Sequence, residues 1–226
     1  MATILAIETA TPIGSVAIVR SDKVIGERLL DPNQNSATTL LPTIDELCKE
    51  TNISLTSLDG IAVSTGPGMF TGLRVGISTA QGLAIANSLK LYAIPTLEAF
   101  AYSSLPTDKL VFMTIDARRE EIYGALFKWN EQGRWDRLIS EKVASPKWWL
   151  EALAPHTSSE KIIIGGSGYL AFEQLFASTL PNQLQSLPED LMMPKAANVG
   201  ILAQQLVEEG RETDPDKIEP QYLRKL

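Results

Sequence analysis

The chain has almost none of the residues that most often build metal sites and nucleophilic active sites. Its 226 residues include one cysteine, Cys48, and one histidine, His156. A disulfide within the chain is therefore excluded, and the usual Cys and His ligand sets for zinc are not available. A Ser-His-Asp site would have to use His156, which lies in the polar segment LAPHTSSEK. A site built from carboxylates alone stays open.

The chain also lacks an excess of positive charge and long apolar runs. It has 20 Lys and Arg residues against 27 Asp and Glu residues, a net charge of −7. Because phosphate contacts need a basic surface, this balance argues against unaided nucleic-acid binding. Arg118-Arg119 and Arg224-Lys225 are the only adjacent basic pairs. No apolar run reaches the ~18 residues of a membrane span, and the first residues lack a signal-peptide pattern, so we expect a soluble cytoplasmic protein.

The order of predicted elements is similar in the two halves of the chain. The first half predicts three strands, a helix over 38–52, a buried strand over 60–64 and a helix over 71–87. The second half begins again with an apolar strand over 109–117 and a hairpin over 120–144. A shift of 108 residues aligns Ile7-Glu8 with Ile115-Asp116. This repetition suggests an internal duplication.

The duplication predicts an α/β protein of two lobes, each with a mixed sheet flanked by helices. We place the first lobe at 1–106, completed by a C-terminal helix of about 197–226, and the second at 107–196. The acidic residues Glu8 and Asp116, each at the end of a first strand, are expected to face a cleft between the lobes.

The most unusual segment is the glycine loop Gly66-Pro67-Gly68-Met69-Phe70-Thr71-Gly72, between a buried strand and a helix. A strand, a glycine loop and a helix N-terminus together form a general anion-binding geometry. The spacing does not match the dinucleotide-binding pattern, because Thr71 stands where its third glycine would be. It does not match a Walker A loop either, since Leu73 follows Gly72.

The helix after this loop carries two ridges of small residues. Gly72, Gly76, Ala80 and Ala84 form one ridge, and Ser78, Gly82 and Ala86 form the other. Each interior glycine costs about 1 kcal/mol relative to alanine in a helix, so a close neighbour must offset that cost. One ridge is expected to pack on the protein's own sheet. The presence of two suggests that another subunit packs on the helix as well.

A nucleotide or anion site is a further hypothesis for the strand ends and glycine turns. Its candidate residues are Glu8, Thr9, Gly66, Gly68, Thr71, Asp116, Arg118, Gly165 and Gly166. Each also has a structural explanation: a solvated strand end or a helix cap for the acids, a tight turn for the glycines, and a surface salt bridge for Arg118.

Several segments together resemble the TsaB (YeaZ) family, which is needed to form threonylcarbamoyladenosine (t6A) in tRNA. They are LAIETA, STGPGMFTGLRVGISTAQGLA, IPTLEAFA, IDARREEIYGALF and EPQYLRKL, and they extend over nearly the whole chain. The resemblance implies a duplicated ribonuclease H/actin-like (ASKHA) fold, in agreement with the two lobes predicted from the element order.

The resemblance also implies that the protein is not itself an enzyme. The related catalytic subunit TsaD carries the segment Asn-His-Leu-Glu-Gly-His, whose histidines hold its metal. Thr96 and Phe100 stand at those histidine positions here, and Phe100 cannot ligate a metal. Asn35 is another departure, because many relatives have histidine there.

The partners implied by the resemblance are TsaD, in a heterodimer, and TsaE in a larger complex, with TsaC supplying threonylcarbamoyl-AMP. TsaD would transfer the group to adenosine 37 of tRNAs that read ANN codons, and tRNA would be held mainly by other subunits. No intrinsic cofactor is expected, although ATP or ADP could bind at or near the partner interface. A homodimer is expected without TsaD. The expected interface residues are Leu40, Leu41, Ile44, Gly72, Arg74, Gly76, Ile77, Ala80, Leu83 and Ala84.

Two other functions stay open from the sequence. One is a nucleotide hydrolase or phosphotransferase of the same fold that uses Glu8 and Asp116. The other, a metallopeptidase, is disfavoured because the histidines are missing.

Overall fold

The computed structural model describes residues 2–157 and 161–224, which divide into two compact units. The first unit contains the described residues through Ala99 together with Lys195–Gln221. The second contains the described residues of Phe100–Pro194 and those from Tyr222 onward.

The first unit is built on a five-stranded mixed sheet. Its strands are β1 (Thr3–Glu8), β2 (Ser15–Arg20), β3 (Lys23–Leu29), β4 (Gly60–Gly66) and β5 (Lys90–Pro95), and their order across the sheet is β3-β2-β1-β4-β5. The first three strands pair antiparallel, whereas β1, β4 and β5 are parallel. Its helices are α1 (Ser36–Thr51), α2 (Phe70–Asn87), the start of α3 (Thr96–Ala101) and α7 (Ala196–Glu208).

The alternation of side chains along β1 explains how this sheet is covered on both faces. Leu5 and Ile7 belong to the core cluster that includes residues of α1 and α2. Ala6, between them, points to the opposite face, where Gly200 of α7 lies against it. A strand buried on both faces needs apolar residues at successive positions, as the run TILAIE provides.

Local signals set the ends of α1. The side chain of Asn35 accepts a hydrogen bond from the Ala37 amide, so the helix begins at Ser36 rather than at residue 38 as predicted. Asn52 adopts the left-handed conformation (φ 55°) and ends the helix. Asn35, which departs from the family pattern, thus serves as the N-cap of α1.

The second unit has a sheet of the same topology. Its strands are β6 (Leu110–Arg118), β7 (Glu121–Trp129), β8 (Trp135–Ala144), β9 (Ile162–Gly165) and β10 (Leu184–Ser186), in the order β10-β9-β6-β7-β8. Its remaining helices are α4 (Pro146–Leu153), α5 (Ser167–Ala171) and α6 (Glu173–Thr179). Two antiparallel and two parallel pairings again surround the central strand. This correspondence confirms the predicted duplicated α/β fold with mixed sheets.

Aromatic packing forms the core of the second unit. Trp149 of α4 is fully buried, and its ring centroid lies 4.8 Å from that of Phe112. Its Nε1 donates a hydrogen bond to the Ile122 carbonyl (3.2 Å). Gly124 on β7 leaves the space that this indole occupies. Large aromatic residues therefore contribute more to the core of the second unit than to that of the first, although both cores also contain many aliphatic residues.

Candidate functional site

The glycine loop before α2 packs on the segment that follows β1. A Cβ at Gly68 would lie 2.5 Å from the Ala10 carbonyl oxygen, and one at Gly72 would overlap the carbonyl oxygen of Thr9. The Met69 amide donates to the Ala10 carbonyl (2.7 Å), and the Thr9 hydroxyl donates to the Gly72 carbonyl (2.8 Å). These glycines therefore have an explanation that requires no ligand: the protein's own backbone occupies the space.

The ridge Gly72, Gly76, Ala80 and Ala84, the inner face of α2, is buried against the sheet of the first unit. A Cβ at Gly76 would overlap the Thr9 hydroxyl oxygen. These four residues are therefore covered by the first unit itself, and their contact with another subunit stays a prediction. Leu40, Ile44 and Ile77 are at most 3% exposed and also belong to the unit's own core. Of the expected interface residues, Leu41 (53% exposed), Arg74 (exposed) and Leu83 (half-buried) remain accessible.

The opposite side of the same helix, its outer face, is open. It consists of Ser78, Gly82, Ile85 and Ala86, all of which are exposed. A Cβ added at Gly82 would meet no atom within 4 Å, and Ile85 is 62% exposed. The sequence analysis did not select Ile85, although its spacing of seven residues from Ser78 places it on the ridge of Ser78, Gly82 and Ala86.

An open groove of about 840 Å³ lies beside the outer face, between α1 and α2. Its wall is mainly apolar, with a charged pair, Asp45 and Lys49, at 2.5 Å. The residues that line it are Leu41, Ile44, Asp45, Cys48, Lys49, Asn52, Ile53, Ser54, Leu55, Thr56, Leu83 and Asn87. Two of the three accessible interface candidates, Leu41 and Leu83, are among them.

The first turn of α2 presents a second apolar patch. Met69 is 38% exposed and Phe70 44%, and the Arg74 guanidinium lies 4.1 Å from the centre of the Phe70 ring. Aromatic residues, Met and Arg are enriched in protein–protein interfaces. Met69 and Phe70 are further residues that the sequence analysis missed as candidates for contact with a partner.

Glu8 is fully buried in the first unit. One carboxyl oxygen accepts a hydrogen bond from the Ala10 amide (2.5 Å), but Oε2 has no hydrogen-bond partner among the described residues. The Ser64 hydroxyl is close enough to favour the carboxylate electrostatically, although it makes no well-formed hydrogen bond. Loss of hydration raises the pKa of Glu8 from its usual 4.5 to about 7. With Glu8 and Thr9 buried and the loop glycines in contact with backbone, this cluster does not form an open phosphate cradle.

The corresponding segment of the second unit is a tight turn. Gly166 has a φ of 105°, and a Cβ there would overlap the Thr114 carbonyl oxygen. A Cβ at Gly165 would lie 2.6 Å from Leu187. Asp116 accepts a hydrogen bond from the Arg118 amide (2.8 Å) and forms an ion pair with its guanidinium (3.3 Å). These contacts agree with the structural explanations; the shared cleft of Glu8 and Asp116 stays a prediction.

The turn between β6 and β7 is strained. Arg118, Arg119 and Glu120 all have positive φ values, of 62°, 54° and 59°. The left-handed conformation costs roughly 1–2 kcal/mol for each residue that is not glycine. Ser167 accepts a hydrogen bond from the Asp116 amide (3.0 Å), and Asp116 holds the Arg118 amide, so neighbouring contacts fix this turn. This conformation was not predicted from the sequence.

Thr96 and Phe100 are both packing residues. Thr96 is fully buried, and its hydroxyl accepts a hydrogen bond from the Gly66 amide (3.0 Å) in the first unit. Phe100 is fully buried in the second unit, where its ring lies beside Gly166. Among residues 2–157 and 161–224, no group of three or more His, Cys, Asp or Glu side chains could hold a metal ion. Over the same ranges no helix is long and apolar enough to cross a bilayer.

Comparison with known proteins agrees with the fold and with the motifs. The family model described as TsaD, tRNA N6-adenosine threonylcarbamoyltransferase, matches residues 31–226. The tRNA threonylcarbamoyladenosine biosynthesis protein TsaB of Escherichia coli is 31% identical over 98% of this chain and 94% of its own length. The protein of that name from Haemophilus influenzae is also 31% identical, over 98% of this chain and 93% of its own.

Solved structures support the same relation. YeaZ from Pseudomonas aeruginosa superposes with a TM-score of 0.81 at 27% identity, over 99% of this chain and 100% of the other. Component A of (R)-2-hydroxyglutaryl-CoA dehydratase from Acidaminococcus fermentans has a TM-score of 0.54 at 7% identity, over 92% and 100% of the two chains, and shares the fold alone. The chain belongs to the TsaB (YeaZ) family of tRNA threonylcarbamoyladenosine biosynthesis proteins, which is related to TsaD.

Proposed function

We propose that this protein is a non-catalytic subunit that binds a TsaD-type catalytic subunit and activates it. The reaction would be threonylcarbamoyl transfer to adenosine 37 of tRNAs that read ANN codons, with TsaC supplying threonylcarbamoyl-AMP and TsaE joining a larger complex. The observation that carries the proposal is the outer face of α2. It combines small residues with an exposed isoleucine, and a Cβ added at Gly82 would meet no atom within 4 Å among the described residues.

The outer face suits a helix from another subunit. Gly82 and Ala86 have little or no side chain, so a partner helix could approach more closely than the usual 8–10 Å between helix axes. Ile85 would then be buried, which is worth about 2 kcal/mol for a side chain of this size. An interior glycine such as Gly82 lowers helix stability, and contact with a partner would offset that cost.

The groove extends this surface onto α1. Leu41 is 53% exposed, and Leu83 and Cys48 are half-buried beside it. A partner with two neighbouring helices could cover the outer face and the groove together, as in a helical bundle. Without TsaD the same surface would pair two copies of this chain, which accounts for the expected homodimer.

The residues at the positions of the TsaD histidines support a subunit that has no catalytic site of its own. A metal site at Thr96 and Phe100 would need donors that these side chains do not provide, since the Thr96 hydroxyl serves the Gly66 amide and Phe100 is apolar. Any ATP or ADP would bind at or near the partner interface.

A reconstituted tRNA modification assay tests the proposal. Purified TsaC, TsaD and TsaE, with tRNA, threonine, bicarbonate and Mg-ATP, would be assayed for t6A with and without this protein. We expect product only when it is present, and none when TsaD is left out. Equal product in its absence would refute the activating role. Phosphate release from Mg-ATP by this chain alone, abolished by Asp116→Asn, would favour a nucleotide hydrolase instead.

A further inference from the structure

We propose that the β6–β7 turn of the second unit contacts the phosphate backbone of tRNA, and that Arg119 makes the contact. The charged tip is defined as Arg118, Arg119 and Glu120. This inference rests on the proposed function, because it takes tRNA as the substrate of the complex, but it assigns direct RNA contact to a subunit whose net charge is −7.

The residues at the charged tip are unusual for a turn of this shape. Glycine, asparagine and aspartate adopt positive φ most easily, so a turn kept only for its shape would carry them. This turn instead has three long charged side chains in the left-handed conformation. Strain of this kind is typical of positions whose side chains act on something outside the turn.

The neighbouring charges leave one guanidinium of this turn available. Arg118 pairs with Asp116, and Arg224 pairs with Glu121. Arg119 is exposed and makes no hydrogen bond or ion pair with any residue of 2–157 or 161–224. A free guanidinium at a narrow turn can reach one oxyanion, and its planar fork matches phosphate.

The polar surface of this turn suits RNA better than a protein partner. Protein interfaces have an apolar core from which charged residues are depleted. From residue 116 to residue 124 the described structure has no exposed large apolar side chain, and the surroundings of the tip are ionic. Nucleic-acid interfaces are more polar and rest largely on arginine and lysine contacts to phosphate.

The test uses Arg119→Gly, with Glu120→Gly as the matched control. Both changes relieve a left-handed residue in the same turn (φ 54° and 59°), but they remove opposite charges. Each should raise Tm by about 2–4 °C. Only Arg119→Gly should weaken tRNA binding, by roughly tenfold, the value of one lost hydrogen-bonded ion contact. Arg119→Lys should restore part of the affinity, because it keeps the charge without the fork.

Binding would be measured by filter retention of labelled tRNA at several salt concentrations, with the TsaD-containing complex and with this chain alone. Loss of one phosphate contact should lower the slope of log affinity against log salt by about 1. Arg119-dependent binding of tRNA in either preparation supports the proposal. The RNA contact can therefore be tested even if TsaD does not pair with this protein. Unchanged binding by Arg119→Gly in both overturns it. Normal tRNA binding with impaired assembly, seen by size-exclusion chromatography, would instead identify a partner carboxylate as the contact.

Discussion

The two faces of α2 carry similar small residues but have different surroundings. On the inner face, Gly72 and Gly76 are small because Thr9 occupies the space where their side chains would be. On the outer face, a Cβ added at Gly82 would enter open space, with no atom of another element within 4 Å. Both ridges are visible in the sequence, but the sequence does not indicate what each ridge packs against. The inner ridge is explained within the first unit, and only the outer one remains to be explained by a partner.

The largest effect is expected from Gly76→Leu on the inner face. A leucine there must displace Thr9 and the end of β1, and overpacking of this kind costs about 3 kcal/mol or more. The variant should lose cooperative unfolding in urea or be recovered as insoluble protein. Gly82→Leu is the matched control, since its side chain enters open space; it should fold normally and fail to bind TsaD. A folded Gly76→Leu with normal Tm would mean that the faces are assigned in reverse.

Glu8 is a buried residue of the first unit whose ionisation should make the folded state less stable. Because burial raises its pKa from 4.5 to about 7, the folded state binds the proton more tightly than the unfolded state does. The free energy of unfolding should therefore fall as pH rises from 4.5 to 7 and then level off, by about 3 kcal/mol in total. Glu8→Gln should remove this fall.

Urea titrations at pH 5 and pH 8 would measure the difference. An equal fall in the Glu8→Gln variant would show that another group is responsible.

On the outer face, Ile85→Asp should act on association alone. Ile85 is 62% exposed, so the monomer should keep its Tm, whereas a carboxylate in an apolar helix contact should weaken TsaD binding roughly thirtyfold, or about 2 kcal/mol. Calorimetric titration with TsaD measures this. Leu170→Asp, at a 45% exposed leucine of the second unit, should bind normally. Equal affinity for the Ile85 variant would place the interface elsewhere.

The smallest effects are expected from alanine substitutions, which compare Gly82 and Gly76 directly. Gly82→Ala should raise the free energy of unfolding by about 1 kcal/mol, because alanine favours the helix and its methyl group is unopposed. Gly76→Ala should lower it, because its Cβ would overlap the Thr9 hydroxyl oxygen. Opposite signs in chemical denaturation would confirm the comparison, and the same sign for both would contradict it.

The fold could be predicted well from the sequence because its signals are local and repeated. The buried strands Thr3–Glu8 and Leu110–Arg118 are runs of apolar residues, and each is followed by an antiparallel hairpin. The start of α1 was placed two residues late, because the side chain of Asn35, not recognised as a cap, fixes it.

The site was harder to predict, because burial depends on contacts between distant segments. That Gly76 faces Thr9 follows from how α2 lies on β1, which periodicity along α2 does not determine. The strain at Arg118-Arg119-Glu120 depends on Asp116 and Ser167, and Ser167 is far along the chain. The replacement of the histidine positions by Thr96 and Phe100, by contrast, could be recognised directly from the motif.

The segment Lys195–Gln221 has a consequence for the order in which the protein folds during synthesis. Ser15 and Glu27 accept hydrogen bonds from the Ala196 and Ala197 amides at the start of α7 (2.8 Å each), and the Gln221 amide donates to the Thr65 carbonyl (2.7 Å). The first unit therefore cannot be completed until Gln221 has left the ribosome, even though its strands are made first. Until α7 has emerged, the face of the sheet that this helix covers in the folded protein lacks that cover. The earliest strands of the chain therefore gain their last covering contacts from residues that are made long after them.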